Sequence, residues 1–271
     1  MLCGRSVSNG RFFDDPFLYA PVAKNRCVAF RYLSNTLWCL ALGMASMSDS
    51  FHLITLEGKV CLKRIEAADS SAVAVDFSAP ALNYRVTSAV KQQGLSKAVG
   101  IKAALRPSVL DATAGFGKDA YLLASQGCRV QLFERNPFVF ALLQDGLARG
   151  VASQQETVVA ACQRLSLVNQ DFIESSIDAL GGVGSVDVVY LDPMFPESKK
   201  SARVKKDMFA LQELLGAAND AEALWEHACR LARRRVVVKR SKSAPTLGTR
   251  APDIQYKGSS SRFDVYLTPK S

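Results

Sequence analysis

This chain has very little histidine and no closely paired cysteines. Its 271 residues include two histidines and seven cysteines, and no two cysteines have C-x-x-C spacing. A structural zinc site needs four closely spaced Cys or His ligands, and a disulfide framework needs an even number of regularly spaced cysteines. The sequence therefore supports neither a metal site nor a disulfide framework. We expect the thiols to be buried as small apolar side chains.

The chain also lacks an apolar run long enough to cross a bilayer. The longest such stretch near the N-terminus, residues 37–47, is about half of what a transmembrane helix needs. Its upstream flank does not show a signal peptide's order of charge, apolar core and cleavage site. We therefore expect a cytoplasmic protein that makes no membrane contact.

Two nucleotide-binding signatures are missing, and a shorter glycine loop stands in their place. The chain has no G-x-x-x-x-G-K-[ST] and no complete G-x-G-x-x-G. Instead, a short apolar strand leads into the loop VLDATAGFGKD at 109–119, and a helix is predicted at 120–126. Gly115 and Gly117 permit positive φ and a close approach of ligand to backbone. In doubly wound folds, such a loop after the first strand binds nucleotide-like ligands.

Acidic residues end the next two predicted strands. Glu134 lies about twenty residues past the glycine loop, where an acid binds the two hydroxyls of a ribose. The alternative is a solvated carboxylate paired with Arg135. After the strand at 165–169, Asp171 could accept from an adenine amino group while Phe172 lies beside the ring. No phosphate is needed, which favours S-adenosylmethionine over NAD.

A third strand ends in a carboxylate, a proline and an aromatic ring, within VVYLDPMFP at 188–196. Asp192 and the carbonyl of Pro193 can accept hydrogen bonds from a planar amine, and Phe195 can stack on the base that carries it. Strand-Asp-Pro also begins ordinary turns, and Phe195 could be a core aromatic below the loop. The preceding glycine loop favours the catalytic interpretation.

The net charge of +9 is concentrated in two runs. A basic run is often only a solvated face, but two runs on the side of the catalytic candidate favour a polyanionic partner such as RNA. The second run, at 228–250, has no carboxylate and includes Lys239 and Arg240. The first run directly follows the Asp-Pro loop and comprises Lys199, Lys200, Arg203, Lys205 and Lys206.

From residue 109 onward, predicted strands and helices alternate. This pattern indicates an α/β protein with a doubly wound, mostly parallel Rossmann-like sheet covered on both faces. Three regions are predicted: a small N-terminal α/β subdomain at 1–80, a helical linker at 81–106 and the Rossmann-like domain at 107–271. The predicted elements are strands at 27–32, 51–56, 59–65, 72–77, 109–111, 129–133, 165–169, 186–191, 235–240 and 263–267, and helices at 35–47, 84–105, 120–126, 137–149, 206–215 and 220–233.

Taken together, these motifs resemble the ribosomal RNA small subunit methyltransferase J family. Its members transfer methyl from S-adenosylmethionine to the N2 amine of guanine 1516 in 16S rRNA. The resemblance covers roughly residues 73–267, and two positions depart from the family's pattern: Asp171-Phe172 replaces small hydroxyl residues, and 86–93 lacks a basic, glycine-rich run. The matching segments are 97–102, 111–119, 127–130, 133–137, 146–150, 190–196, 199–206, 235–240 and 257–266.

The resemblance implies an S-adenosylmethionine-dependent rRNA (guanine-N2-)-methyltransferase that acts on 16S rRNA or on the small ribosomal subunit. The implied catalytic residues are Asp192, Pro193 and Phe195. The resemblance and the glycine loop together give the expected cofactor contacts, which are Asp111, Gly115, Gly117, Lys118, Asp119, Glu134, Arg135, Asp171, Phe172 and Asp192.

Two other functions remain open at the level of sequence. The same loop chemistry would serve an amino-methyltransferase that acts on DNA adenine or on a protein side chain. A non-catalytic RNA-binding protein of the same fold is the second alternative. The oligomeric state is not indicated by the sequence.

Overall fold

A computed structural model describes residues 51–65, 72–87, 89–193 and 220–269. These ranges contain nine strands and six helices. The strands are β1 (Phe51–Leu56), β2 (Lys59–Arg64), β3 (Val109–Asp111), β4 (Val130–Phe133), β5 (Leu165–Val168), β6 (Val186–Leu191), β7 (Ala232–Ser241), β8 (Ile254–Lys257) and β9 (Ser261–Leu267). The helices are α1 (Pro80–Thr87), α2 (Ala89–Val99), α3 (Lys118–Ser125), α4 (Pro137–Val151), α5 (Glu156–Cys162) and α6 (Ala221–Leu231).

The centre of the fold is a seven-stranded sheet in the order β5-β4-β3-β6-β7-β9-β8. The first five strands run parallel, whereas β9 is antiparallel to both β7 and β8. Every residue of β3, β4 and β6 is buried, as is typical of parallel strands that are covered on both faces. The predicted doubly wound α/β fold is therefore confirmed.

Alternate residues of the central strands enter two separate cores. Val188 and Tyr190 pack with α3 and α4 on one face of the sheet, while Val189 and Leu191 pack with α6 on the other. Helix α4 begins sharply because the Asn136 side chain accepts hydrogen bonds from the first free N–H groups of the helix. The two covered faces leave the strand ends as the place where a ligand can bind.

Strands β1 and β2 form a hairpin outside the main sheet. The two strands are joined by a turn at Glu57-Gly58, where both residues have positive φ, of 50° and 75°. The backbone N–H of Val60 donates to Asp145 on α4 over 3.1 Å. Phe51 shares its hydrophobic cluster with the α3 and α4 core. The hairpin is thus packed into the core of the large domain, and the domain boundary at residue 80 stays a prediction.

Several predicted elements differ from the structure. The strand at 72–77 is reduced to one bridge between Val73 and Leu62, and the single helix at 84–105 is two helices, α1 and α2. The helix at 220–233 ends at Leu231, since the chain turns extended at Ala232 to pair with β6. Helix α5 was missed. The predicted final strand is present as β9, which pairs with β7 and β8. The predicted elements at 27–32, 35–47 and 206–215 lie outside the described residues.

Candidate cofactor and active site

The strand order reverses at the centre of the sheet, between β3 and β6. In open α/β sheets, ligands bind beyond the carboxyl ends of the strands at such a switch point. A cavity of about 320 Å³ opens here, lined by residues that follow β3, β4, β5 and β6 and by Lys239 from β7. Its size falls in the range usual for small-molecule sites.

The glycine loop after β3 forms one wall of this cavity. It is fixed to both neighbouring strands, because Ala112 N–H donates to the Tyr190 carbonyl and Ala114 N–H donates to the Phe133 carbonyl, each over 3.1 Å. Gly117 precedes α3 with φ of 66°, and a Cβ there would lie 2.8 Å from a methyl group of Leu143. Only glycine fits this position without strain, so the predicted tight loop is present.

Glu134 is buried at the end of β4, with 5% of its surface exposed. Its Oε2 accepts from Gly115 N–H over 3.0 Å, and its Oε1 accepts from Asn136 N–H over 2.8 Å. Burial raises the pKa of Glu134 to about 7, although these two hydrogen bonds act in the opposite direction. The alternative interpretation, a solvated carboxylate paired with Arg135, is therefore wrong.

Arg135 instead bridges two carboxylates at the rim. Its guanidinium donates to Asp171 over 2.9 Å and also to Asp220, and all three side chains line the cavity. Phe172 is buried and lies edge-on to Phe133, with ring centroids 5.7 Å apart. Asp171 and Phe172 thus reach the cavity as predicted, but Asp171 is already engaged by Arg135.

Asp111, the last residue of β3, is almost completely buried. Its Oδ1 accepts from the backbone N–H of Thr113 over 3.1 Å. Burial raises the pKa of Asp111 to about 8, and the nearby carboxylates of Asp119 and Asp192 add to the rise. Asp111 is therefore a largely neutral acid at neutral pH.

Asp119 lies in the first turn of α3 and accepts from three side chains. The Tyr190 hydroxyl donates over 2.8 Å, Lys239 over 2.7 Å and Arg85 over 3.2 Å. Burial alone would raise the pKa of Asp119, but Lys239, Arg85 and the Tyr190 hydroxyl lower it to about 2. Asp119 therefore stays ionised at physiological pH.

Asp192 follows β6 on the other side of the switch point. Its backbone N–H donates to the Thr113 hydroxyl over 2.6 Å, and its Oδ2 accepts from Lys239 over 2.7 Å. The side chain is 39% exposed, so it can meet a ligand that enters from solvent. Pro193 also lines the cavity. The structure thus brings Asp192 and Pro193 together with the glycine loop.

Comparison with known proteins identifies the family. The profile of the SAM-dependent methyltransferase family SAM_MT matches residues 37–268. Ribosomal RNA small subunit methyltransferase J of Cellvibrio japonicus is 43% identical over 81% of this chain and 84% of its own length, and that of Pasteurella multocida is 45% identical over 76% and 81%. The chain belongs to the ribosomal RNA small subunit methyltransferase J family. A crystal structure of a SAM-dependent methyltransferase from Neisseria gonorrhoeae agrees, with 35% identity, a TM-score of 0.64 and coverage of 82% of this chain and 85% of that one.

Membership in this methyltransferase family makes S-adenosylmethionine the cofactor, and the cavity fits it. Each oxygen of Glu134 uses one lone pair on a backbone N–H, which leaves acceptor capacity for the ribose hydroxyls. Gly115 lines the cavity, whereas Gly117 is not among its lining residues and instead makes the tight turn against Leu143. Lys118 and Asp119 follow at the start of α3, where the resemblance also expects cofactor contacts.

Two cations expected to face RNA lie elsewhere. Lys239 is inside the cavity between Asp119 and Asp192, so it is not part of an exposed basic face. Arg240 is 4% exposed, and its Nε donates to the Pro245 carbonyl over 2.9 Å, which removes it from any RNA-facing surface. Both expectations are corrected, because the positions depend on how β7 pairs: its register with β6 brings Lys239 beside Asp192, and Arg240 lies where β7 pairs with β9. A run of basic residues in the sequence shows neither.

The remaining predicted site residues are one aromatic residue and five cations. Phe195 and the cations Lys199, Lys200, Arg203, Lys205 and Lys206 lie outside the described residues. Within the described ranges, no cluster of three or more His, Cys, Asp or Glu is arranged to hold a metal. The described helices include none that is both long and apolar enough to cross a membrane.

Proposed function

We propose that this protein methylates the N2 amine of guanine 1516 in 16S rRNA, with S-adenosylmethionine as the methyl donor. The observation that carries the proposal is the position of Asp192, a partly exposed carboxylate at the rim of the cofactor cavity. The relatives named ribosomal RNA small subunit methyltransferase J support the choice of substrate.

Among the described residues, one oxygen of Asp192 is left as an acceptor for a ligand. Lys239 occupies its Oδ2, whereas its Oδ1 takes no hydrogen bond from the described residues. Asp192 Oδ1 and the Pro193 carbonyl would accept the two hydrogens of the guanine amine. A planar amine held by both hydrogens is fixed in orientation, so its nitrogen faces the interior of the cavity.

Orientation matters because the amine is a weak nucleophile. Its lone pair is delocalised into the guanine ring, and acceptance of both hydrogens by oxygen returns electron density to the nitrogen. Bound S-adenosylmethionine supplies an electrophilic methyl group on a sulfonium. Holding the two reacting groups in line removes much of the entropic part of the barrier. Asp192 is thus proposed to bind and orient the amine, with no covalent intermediate.

The base itself must leave its stack to reach the cavity. Enzymes that act on a base extrude it into a pocket and hold it by its edge and by stacking. The proposed stacking group is Phe195, and stacking of this kind is worth about 1–3 kcal/mol per base. The cations at 199–206 are proposed to contact phosphates of the 16S rRNA or small subunit, which would place the enzyme in the cytoplasm.

Mass mapping of modified nucleosides tests the proposal. 16S rRNA from cells with the gene should carry N2-methylguanosine at 1516, and rRNA from cells without it should not. Loss of N6-methyladenine from DNA, or of a methylated protein side chain, would favour the alternative amino-methyltransferases. Unchanged modification, together with failure of the purified protein to bind S-adenosylmethionine, would favour the non-catalytic alternative.

A further inference from the structure

One cation joins the two halves of the cavity. The Nζ of Lys239 lies 2.7 Å from Oδ2 of Asp119 and 2.7 Å from Oδ2 of Asp192. The sheet register explains this position, because Val238 of β7 lies directly beside Leu191 of β6. Lys239 and Asp192 are the next residues along the chain, so they lie side by side where β6 ends and β7 continues.

The charges around this ammonium are crowded. Three acidic side chains meet here: Asp111 at the end of β3, Asp119 in the first turn of α3, and Asp192 after β6. Lys239 contacts two of them, and Arg85 and the Tyr190 hydroxyl both donate to Asp119. Burial and the neighbouring Asp119 carboxylate raise the pKa of Asp192, and the Lys239 ammonium opposes that rise.

We infer that Lys239 is a positioning residue for methyl transfer: it holds Asp192 by one oxygen and links it to Asp119 beside the cofactor loop. The inference rests on the proposed function of Asp192. A carboxylate fixed through Oδ2 presents Oδ1 to the amine, whereas a rotated one would not. Lys239 therefore acts through Asp192 and touches neither reacting group.

The Lys239 contacts also connect the cofactor loop to the loop that carries Asp192. Asp119 lies in the first turn of α3, directly after the glycine loop. Within that loop, the Thr113 hydroxyl accepts from the backbone N–H of Asp192. The cofactor loop is thus joined to the catalytic loop by the Thr113 hydrogen bond and by the Lys239 ammonium. Loss of Lys239 should therefore disturb the orientation of Asp192 more than the binding of the cofactor.

The first test measures Asp192 itself, without any substrate. Carboxyl ¹³C NMR of aspartate-labelled protein, with Asp192→Asn used for assignment, gives the pH at which Asp192 titrates. Lys239→Met should move this midpoint to a pH higher by about 1–3. Adding Asp119→Asn to that variant should move it part of the way back, since one negative neighbour is removed. An unchanged midpoint in Lys239→Met would overturn the inference.

The second test separates positioning from structural support. We expect Lys239→Met to lower kcat for rRNA methylation by about 10²-fold and to leave KM for the cofactor near the parent value. The acid limb of its pH profile should move in the same direction as the NMR midpoint. Lys239→Arg, which keeps the positive charge, should recover part of kcat. If Lys239→Met fails to fold, the kcat and pH profile of Lys239→Arg test the inference in its place.

A matched control is Lys102→Met, an exposed lysine in the segment that leads into the opposite end of β3. It should leave kcat and the pH profile unchanged. If Lys239 contacts RNA phosphate instead, Lys239→Met would reduce the salt dependence of RNA binding by about 0.7–0.9 in log–log slope and leave Asp192's titration unchanged. That result would overturn the inference. If the parent protein methylates no guanine, the proposed function fails, while the NMR result still decides whether Lys239 holds Asp192.

Discussion

The backbone N–H of Gly115 lies 3.0 Å from Oε2 of Glu134, so one hydrogen bond joins the loop after β3 to the end of β4. The other oxygen of Glu134 is held by Asn136 N–H, just before α4 begins. The carboxylate therefore has a fixed orientation before any ligand arrives. A preorganised acceptor of this kind avoids the entropic cost of ordering it on binding.

The first prediction concerns cofactor affinity. Glu134→Ala removes the acceptor proposed for the ribose hydroxyls, and hydrogen bonds to a charged group are worth about 1.5–3 kcal/mol. Calorimetry should show S-adenosylmethionine binding weakened by at least this amount. Glu156→Ala, at an exposed glutamate in the first turn of α5, should bind like the parent. Equal affinities for the two variants would remove Glu134 from the site.

The second prediction concerns pH and stability. The pKa of Glu134 rises from an ordinary 4.5 in the unfolded chain to about 7 in the folded protein. The folded state therefore binds more protons between these values, and the stability contributed by the neutral acid is full below pH 4.5 and is lost as pH rises through about 7. At about 1.4 kcal/mol per pH unit, the loss is roughly 3 kcal/mol.

Urea unfolding of the parent and of Glu134→Gln across pH 4 to 9 measures this loss. The free energy of unfolding of the parent minus that of the variant should decline over the window. The contribution of Asp111, which also has a raised pKa, is common to both proteins and cancels. A difference that does not change with pH would contradict the assigned burial of Glu134.

The third prediction concerns the turn at Gly117. An alanine there would need positive φ and would place its Cβ 2.8 Å from Leu143. Gly58→Ala is a matched control, because Gly58 also has positive φ but no atom lies within 4 Å of its added Cβ. Urea unfolding should show that Gly117→Ala costs about 1–3 kcal/mol more than Gly58→Ala. Equal costs would mean that the loop can shift away from Leu143.

The fourth prediction concerns the basic run after the Asp-Pro loop. Replacing Lys199, Lys200 and Arg203 by alanine should weaken RNA binding, and each lost phosphate contact should lower the salt slope by about 0.7–0.9. Cofactor affinity should be unchanged. The control replaces Lys102 and Arg129, two exposed cations at the opposite edge of the sheet. If the slope does not change for the first variant, this run is only a solvated face.

Much of the fold was predictable because its strands have unambiguous patterns. Buried parallel strands are continuous apolar runs, so β3, β4 and β6 were located within about one residue. Helix α5 was missed because ETVVAAC carries two β-branched valines and lacks an N-cap side-chain bond. The predicted strand at 72–77 is wrong because its alternating apolar residues have no partner strand along their length. Only Val73 pairs, in a single bridge with Leu62.

The site was predictable where its residues end a strand, and unpredictable where it depends on pairing. Glu134 and Asp192 follow directly from strand ends that meet at one edge of a parallel sheet. Lys239 could not be placed in the same way. Its role depends on the register of β7 against β6, and its sequence neighbours suggested an exposed basic face. The burial of Arg240 goes with a different pairing, that of β7 with β9, where Arg240 lies opposite Arg262.

The most direct test of the account is methyl transfer by the purified protein to 16S rRNA taken from cells that lack the gene. Nucleoside mass mapping should find N2-methylguanosine at 1516 with the parent protein and S-adenosylmethionine. With Asp192→Asn, which keeps the shape but not the charge of the side chain, the product should be nearly absent while the variant still binds cofactor. Methylation of that guanine at close to the parent rate by Asp192→Asn would contradict the account.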